Sequence, residues 1–279
     1  MTDMEPKIIL ITGASSGIGY EAARLLARKG HKVYGAARRV EKIEELSPEG
    51  VIPLKMDVTD TASMKSGVDR IIAEQGHIDV MVNNAGYGYF GAIETVPLED
   101  ARRQLEVNVF GLAELCRLVL PSMRERRCGR IVNIASVAGR SVMYFGGWYH
   151  VSKYSVEALS DALRMEVKPF GIDVSIIEPG AIRTDWGIIA ARHLAESSRG
   201  TEYEKDAAKE AATMHKWYSS KAFTNPDRVA AAICRAALSK RPRTRYRLGF
   251  GAGSLVFLHW LLPTRWWDAL MRSFLTSGI

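Results

Sequence analysis

The stretch Thr12-Gly13-Ala14-Ser15-Ser16-Gly17-Ile18-Gly19 limits the possible folds of this 279-residue chain more than any other segment. Before it lies KIILIT, Lys7 to Thr12, a short apolar run rich in β-branched residues that suits a buried parallel strand. After it, Gly17 to Lys29 reads as a helix, with Ala22, Ala23, Leu25 and Leu26 as its apolar stripe. Glycines let the backbone turn sharply and approach a pyrophosphate without a Cβ clash. The helix start then presents free N–H groups and a positive dipole end to the phosphates. Gly13, Ser15, Ser16, Gly17, Ile18 and Gly19 are therefore candidate cofactor contacts. The spacing is G-x-x-x-G-x-G rather than G-x-G-x-x-G. Tight turns use glycine everywhere, so the placement between strand and helix carries the inference.

The same alternation continues along the chain. Strands are expected at Lys32–Ala36, Val51–Leu54, Asp79–Val82, Arg130–Ile134 and Asp173–Ile177. Helices are expected at Thr61–Gln75, Glu99–Arg126 and Val151–Pro169. Such a rhythm implies right-handed crossovers and an α/β fold, a doubly wound parallel sheet with helices on both faces. No Pro/Gly/Ser-rich linker divides the chain, so residues 1–279 read as one domain, with a core at 7–184 and a variable substrate-loop region, last helices and tail at 185–279. Ala181 to Phe223 looks like an insertion with its own helix, Glu202 to Tyr218. Asn225-Pro226-Asp227 opens a helix running to Ser239, and Tyr246–Gly249 reads as a last strand.

Composition is that of a globular protein, with 47% hydrophobic and 25% charged residues. The net charge of +7 fits an anionic cofactor, an acidic membrane surface or nucleic acid. The densest basic stretch, Lys240, Arg241, Arg243, Arg245 and Arg247, interleaves one aromatic, Tyr246, and has no groove-reading helix attached. It reads as a solvated loop leading into a strand, and no nucleic-acid partner is expected. Cys116, Cys128 and Cys234 are scattered, which argues against a disulfide framework and for a reducing, cytoplasmic setting. No HExxH or Cys/His cluster occurs, so no metal site is expected. Met1 to Lys7 does not read as a signal peptide, and the apolar run Leu255–Leu262 is too short to span a bilayer.

The end of the second strand bears on cofactor choice. NAD-preferring sites place Asp or Glu there for the ribose hydroxyls, whereas this chain has Ala36-Ala37-Arg38-Arg39. Guanidinium groups suit a 2′-phosphate, which favours NADP(H) over NAD(H), with Arg38 the first contact and Arg39 the second. Two surface arginines opening a helix is the plainer alternative. Further on, Tyr149 and Lys153 stand four apart at the head of a predicted helix, on one face. A nearby ammonium stabilises phenolate and lowers the tyrosine pKa toward working pH. Tyr149 could then protonate a carbonyl oxygen or deprotonate an alcohol. Ser136, 13 residues earlier at a strand end, could hold the substrate oxygen beside the phenol.

Together these residues resemble the short-chain dehydrogenase/reductase family. The landmarks are Thr12-Gly-Ala-Ser-Ser-Gly-Ile-Gly19, Asp57, Asn83-Asn-Ala-Gly86, Asn108, Ser136, Tyr149-His-Val-Ser-Lys153 and Pro179-Gly180 with Thr184, in the family's order. The resemblance is close over Lys7–Thr184 and loose beyond. It implies a Rossmann-type fold and a catalytic tetrad of Asn108, Ser136, Tyr149 and Lys153. It also implies that Lys153 binds the nicotinamide ribose and that Asn108 maintains a water-linked proton relay. Asp57 and Val58 would border the adenine, and Asn84, Ala85 and Gly86 would line the cofactor channel. Pro179, Gly180 and Thr184 would touch the nicotinamide end. A homodimer or homotetramer through the helices at 99–126 and 151–169 is a further expectation, as is transfer of the pro-S hydride.

Substrate identity is the least legible part. Tyr87, Tyr89, Phe90, Val137, Met143, Tyr144, Phe145, Trp148, Trp186, Ile188 and Ile189 would suit an apolar carbonyl compound, or they pack a core or a subunit contact. Tyr87-Gly-Tyr-Phe-Gly91 is similar to the hydroxysteroid- and retinol-dehydrogenase-like branch, which suggests a steroid-, retinoid- or lipid-like substrate. In the tail, Leu255, Val256, Phe257, Trp260, Leu261 and Leu262 precede Pro263, and Trp266, Trp267, Leu270, Met271, Phe274 and Leu275 follow at helical spacing. This segment could be a pocket lid, a subunit contact or a peripheral membrane contact. Two other functions compete with the oxidoreductase. One is an epimerase or dehydratase with tightly held nicotinamide; the other is a non-catalytic NADPH sensor.

Overall fold

The computed structural model describes residues 5–220 and 223–276, the side chains of 274–276 excepted. Of the tail residues named above, Phe274 and Leu275 therefore have side chains outside the described residues. So do Met1 to Met4 at the N-terminus.

The first half of the chain runs β1 (Ile8–Thr12), α1 (Gly17–Arg28), β2 (Lys32–Ala37), α2 (Glu41–Glu44), β3 (Val51–Lys55), α3 (Thr61–Gln75), β4 (Val80–Asn83), α4 (Leu98–Leu105) and α5 (Gly111–Glu125). The second runs β5 (Gly129–Ile134), α6 (Gly147–Val167), β6 (Ile172–Pro179), α7 (Asp185–Ser197), α8 (Glu204–Tyr218), α9 (Pro226–Leu238), β7 (Arg245–Leu248), α10 (Ala252–Leu261) and α11 (Thr264–Thr276). The strands form one parallel sheet in the order β3-β2-β1-β4-β5-β6-β7. This is the expected doubly wound α/β architecture.

Strand side chains alternate between the two faces, and both faces are buried. Ile8 and Leu10 of β1, Met81 of β4 and Ile172, Val174 and Ile176 of β6 join one core, with Val68 and Ile71 of α3, Leu115 and Val119 of α5 and Val156 and Leu163 of α6. Ile9, Ile11, Val80, Val82 and Ile177 join the opposite core, with Ala22 and Leu26 of α1 and Val229 and Ile233 of α9. Pro53 sits in β3, an edge strand, where a missing N–H is tolerated.

Three elements depart from the sequence reading. The helix expected at Glu99–Arg126 is interrupted by a π-helical turn, Glu106–Phe110, between α4 and α5. The region read as an insertion with one helix holds two, α7 and α8, which pack on each other through Ala190, Ala191, Leu194, Ala207, Ala211 and Met214. In the basic stretch, Lys240, Arg241 and Arg243 are exposed as expected, but Arg245 and Arg247 reach down to buried carboxylates.

These carboxylates form a charged layer beneath β7. The Arg245 guanidinium lies 3.0 Å from Glu178 of β6, 3.0 Å from Glu157 and 2.5 Å from Asp161, both of α6. Arg247 Nε donates to Glu178 Oε2 at 2.7 Å. Glu178 is wholly buried, and both arginines reach its carboxylate oxygens. Burial and the charge of Glu178 together push the Glu157 carboxyl up to about 7. Removing one partner of a buried ion pair strands the others and costs about 3–5 kcal/mol. Arg245→Met is therefore expected to lose stability on that order in urea unfolding. Wild-type stability for this variant would show that the layer contributes nothing net.

Candidate active site

Strand order reverses between β1 and β4, and a large cleft, about 1850 Å³, opens over the C-terminal ends of the strands around this point. Thr12 Oγ1, at the end of β1, accepts hydrogen bonds from the Asn84 and Ala85 N–H groups, each at 3.1 Å. Asn84 Nδ2 donates back to the Thr12 carbonyl at 2.9 Å and to that of Gly13 at 3.2 Å. The loop after β1 is thereby clasped to the loop after β4. Gly13 has φ +66°, and a Cβ there would lie 2.9 Å from both Ala85 Cα and Asn84 Nδ2. A Cβ on Gly19 would collide with Asn84 and with the Gly13 carbonyl. The two glycines thus serve different ends: Gly13 faces the cleft, while Gly19 lets the first turn of α1 pack against the loop.

All the residues read from the sequence as cofactor contacts line this cleft except Gly19: Gly13, Ser15, Ser16, Gly17, Ile18, Arg38, Arg39, Asp57, Val58, Asn84, Ala85, Gly86, Tyr149, Lys153, Pro179, Gly180 and Thr184. Arg38 and Arg39 are exposed at the rim, just beyond β2. Burial raises the Asp57 carboxyl, but hydrogen bonds from Thr59 N and Oγ1, at 3.0 and 2.8 Å, and the charge of Arg38 bring it below the usual carboxylate range. It is an anion at neutral pH.

At the centre of the cleft stand Ser136, at the end of β5, and Tyr149 and Lys153, in the first two turns of α6. Ser136 is the N-cap of a short 3-10 turn, and its Oγ accepts from Ala138 N at 3.1 Å. It also forms a side-chain hydrogen bond with Tyr149. Lys153 Nζ donates to the Ile134 carbonyl at 2.8 Å and lies 5.9 Å from the centre of the Tyr149 ring. Burial pushes the Tyr149 phenol up to about 12, partly offset by the Ser136 hydrogen bond. Burial likewise lowers Lys153 to about 8, opposed by the charge of Glu157 one turn along α6. The expectation that Lys153 draws the tyrosine pKa down is corrected here. Desolvation wins, and Tyr149 is a neutral phenol across the physiological range.

Asn108 does not line the cleft. It sits behind it on the π-helical turn, fully buried. Its Oδ1 accepts from Tyr87 N at 3.0 Å, and its Nδ2 donates to Tyr87 O at 2.9 Å and Ser152 Oγ at 3.0 Å. Ser152 in turn donates to the Tyr149 carbonyl at 2.8 Å. Asn108 therefore ties the loop after β4 to the first turn of α6. π-Bulges of this kind occur frequently at functional sites.

Beyond Tyr149 the walls are aromatic. Trp186 packs 4.9 Å from the Tyr149 ring and 5.8 Å from Phe90, and Tyr218 lies 5.9 Å from Trp186. Of the apolar candidates, Tyr87, Tyr89, Phe90, Val137, Met143, Tyr144, Trp186 and Ile189 line the cleft, whereas Phe145, Trp148 and Ile188 do not. Phe145 instead packs in the core between Tyr144 and Tyr203. Ile188 is one residue from the lining Ile189, which turns it about 100° away on α7. Sequence reasoning did not assign Met214, Trp217, Phe223 or Phe250 to the cleft, whereas Leu255, Leu258, Leu270 and Met271 line it from the tail that was left open as a pocket lid. The spacing 214, 217, 218 on one face of α8 was the available signal for that helix. The tail is fastened over the cleft by buried Trp267, whose Nε1 donates to Val142 O at 2.8 Å.

A family model described as short chain dehydrogenase matches residues 7–192. The chain is 38% identical over 247 residues to 3-ketodihydrosphingosine reductase of Bacteroides thetaiotaomicron, covering 88% of this chain and 89% of that one. It is 36% identical over 290 residues to 17-beta-hydroxysteroid dehydrogenase type 6 of Rattus norvegicus, covering 97% and 89%. The crystal structure of a short-chain dehydrogenase from Streptomyces avermitilis superposes with a TM-score of 0.78 at 33% identity, covering 98% of this chain and 96% of that one. A serine dehydrogenase complexed with NADP+ superposes with a TM-score of 0.74 at 28% identity, covering 87% and 94%. By sequence match, sheet order and shared fold, this chain belongs to the short-chain dehydrogenase/reductase family of oxidoreductases.

Proposed function

We propose that the protein interconverts an apolar ketone or aldehyde and its alcohol, using NADP(H), with Tyr149 as the proton donor and acceptor. The observation that carries this reading is the placement of Ser136, Tyr149 and Lys153 in one cleft between a glycine-lined half and an aromatic half.

The glycine-lined half fits a dinucleotide. Gly13, held at φ +66°, lines it with bare backbone, and the start of α1 faces the cleft with free N–H groups. The NADP(H) preference is supported by Arg38 and Arg39, which line the cleft just past β2 and suit a 2′-phosphate, and by the lack of Asp or Glu at positions 36–39. When bound, NADPH supplies the hydride. The protein's own part is to hold the carbonyl oxygen between the Ser136 hydroxyl and the Tyr149 phenol. A neutral Tyr149 is suited to donate its proton as negative charge develops on that oxygen. Lys153, charged below about 8, stabilises the phenolate left behind and steadies the β5 end through Ile134. Asn108 is a positioning residue, acting through Tyr87 and Ser152.

The apolar substrate class rests on the aromatic lining and on the named substrates of the two relatives above, a sphingoid ketone and a hydroxysteroid. A homodimer or homotetramer belongs to the same reading, supported by exposed Phe110 on the π turn and Tyr154 and Met165 on α6. A cytoplasmic setting, with residues 1–279 acting as one domain, belongs to it as well.

Three outcomes test the reading. Tyr149→Phe should lower kcat for NADPH-dependent carbonyl reduction by about 10²–10⁴-fold with intact cofactor binding, the range expected for loss of general acid catalysis. Unchanged turnover would remove Tyr149 from the chemistry. Arg38→Ala should raise KM for NADPH roughly tenfold or more and leave that for NADH nearly unchanged, as befits one lost charge-assisted hydrogen bond. Equal effects on both cofactors would end the NADP(H) assignment. Lys153 carries its charge below about 8 and loses it above. The reductive kcat/KM should therefore hold steady through neutral pH and fall above about 8, and a profile flat to pH 10 would contradict the role given to Lys153.

A further inference from the structure

The helical hairpin α10–α11 is apolar on both of its sides. Its inner side belongs to the cleft through Leu255, Leu258, Leu270 and Met271, and buried Trp267 fastens it to Val142. Its outer side presents Trp260 at 77% exposure, Trp266 at 68%, and Phe257 and Leu261 at 54% each. Phe257 and Trp260 stand 6.1 Å apart as neighbours on one face of α10. A helix apolar all round belongs inside a core or against lipid, and α10 lies at the protein surface. None of its ten residues is Asp or Glu. On α11 the exposed Arg265 and Arg272 outnumber Asp268.

We propose that this outer face docks on an anionic bilayer surface and brings the mouth of the substrate cleft to the lipid. Tryptophan suits that boundary because its ring is apolar and its N–H is polar, and the arginines suit anionic headgroups. A second copy of this chain fits less well. The four exposed side chains offer roughly 500 Å² on typical aromatic areas, below the ~800 Å² per partner of a stable interface. The docking gives the two-sided hairpin a purpose. A substrate dissolved in the bilayer would pass between the inner leucines without crossing water. That passage rests on the apolar-substrate reading above, whereas the docking itself does not.

The test uses the full chain with vesicles of phosphatidylcholine alone and of phosphatidylcholine with phosphatidylglycerol. Co-sedimentation should be stronger on the anionic vesicles and should weaken about tenfold or more in Trp260→Ser/Trp266→Ser, given the apolar area removed. In the wild type, lipids brominated on their acyl chains should quench tryptophan fluorescence, a readout that needs no variant. NADPH oxidation with a short water-soluble aldehyde should be the same for wild type and variant. No binding to either vesicle, or equal binding by both proteins with no quenching, overturns the proposal. So does a variant that shifts from oligomer to monomer by light scattering while the wild type ignores lipid, since the face would then belong to a second copy. Vesicle binding with no carbonyl turnover would count against the proposed reaction and leave the docking surface standing.

Discussion

The clasp between Thr12 and Asn84 is the interaction on which the site depends. A parallel sheet whose strand order reverses must leave a crevice between the two strands at the reversal, here β1 and β4. Four hydrogen bonds across that crevice hold the two loops at a fixed separation. Gly13 and Gly19 are required because Asn84 lies where their Cβ atoms would be. The glycine pattern is thus as much a record of packing between two loops as of space for a phosphate.

Desolvation decides the chemistry of the central residues. Tyr149 and Lys153 are both buried, and burial moves each toward its neutral form, the phenol up and the ammonium down. The two shifts part a pair whose ordinary acidities nearly coincide, to about 12 and about 8, so the phenol holds its proton more firmly than the ammonium does. Glu157, one turn beyond Lys153, opposes the loss of the lysine charge and is itself held by Arg245 from the sheet edge. The catalytic lysine is in this way connected electrostatically to β7.

The substrate half is assembled from four separate parts of the chain: the loop after β4, the loop after β5, the pair α7–α8, and the α10–α11 hairpin. Trp186 is central to it, in contact with Phe90, Tyr149 and Tyr218. Each part contributes at least three aromatic or aliphatic side chains to the lining.

The sequence by itself determined the parallel α/β sheet, the glycine loop, the position of Ser136 and the Tyr149–Lys153 pair. These depend on local periodicity and on residues a few positions apart, where spacing alone sets geometry. It also indicated the arginines after β2. Tertiary structure decided what depends on distant segments meeting. The π turn that carries Asn108 was not legible, because the buried positions Ala101, Gln104, Asn108, Leu112 and Leu115 keep a three- and four-residue spacing across it. Arg245 and Arg247 looked solvated until β7 was laid beside the buried Glu178. The acidity of Tyr149 was misjudged from its lysine neighbour because burial is not a property of i, i+4 spacing. The tail was open among lid, contact and membrane readings for the same reason. Only the docking of Trp267 on Val142 separates the side of the hairpin that closes the cleft from the side that faces outward.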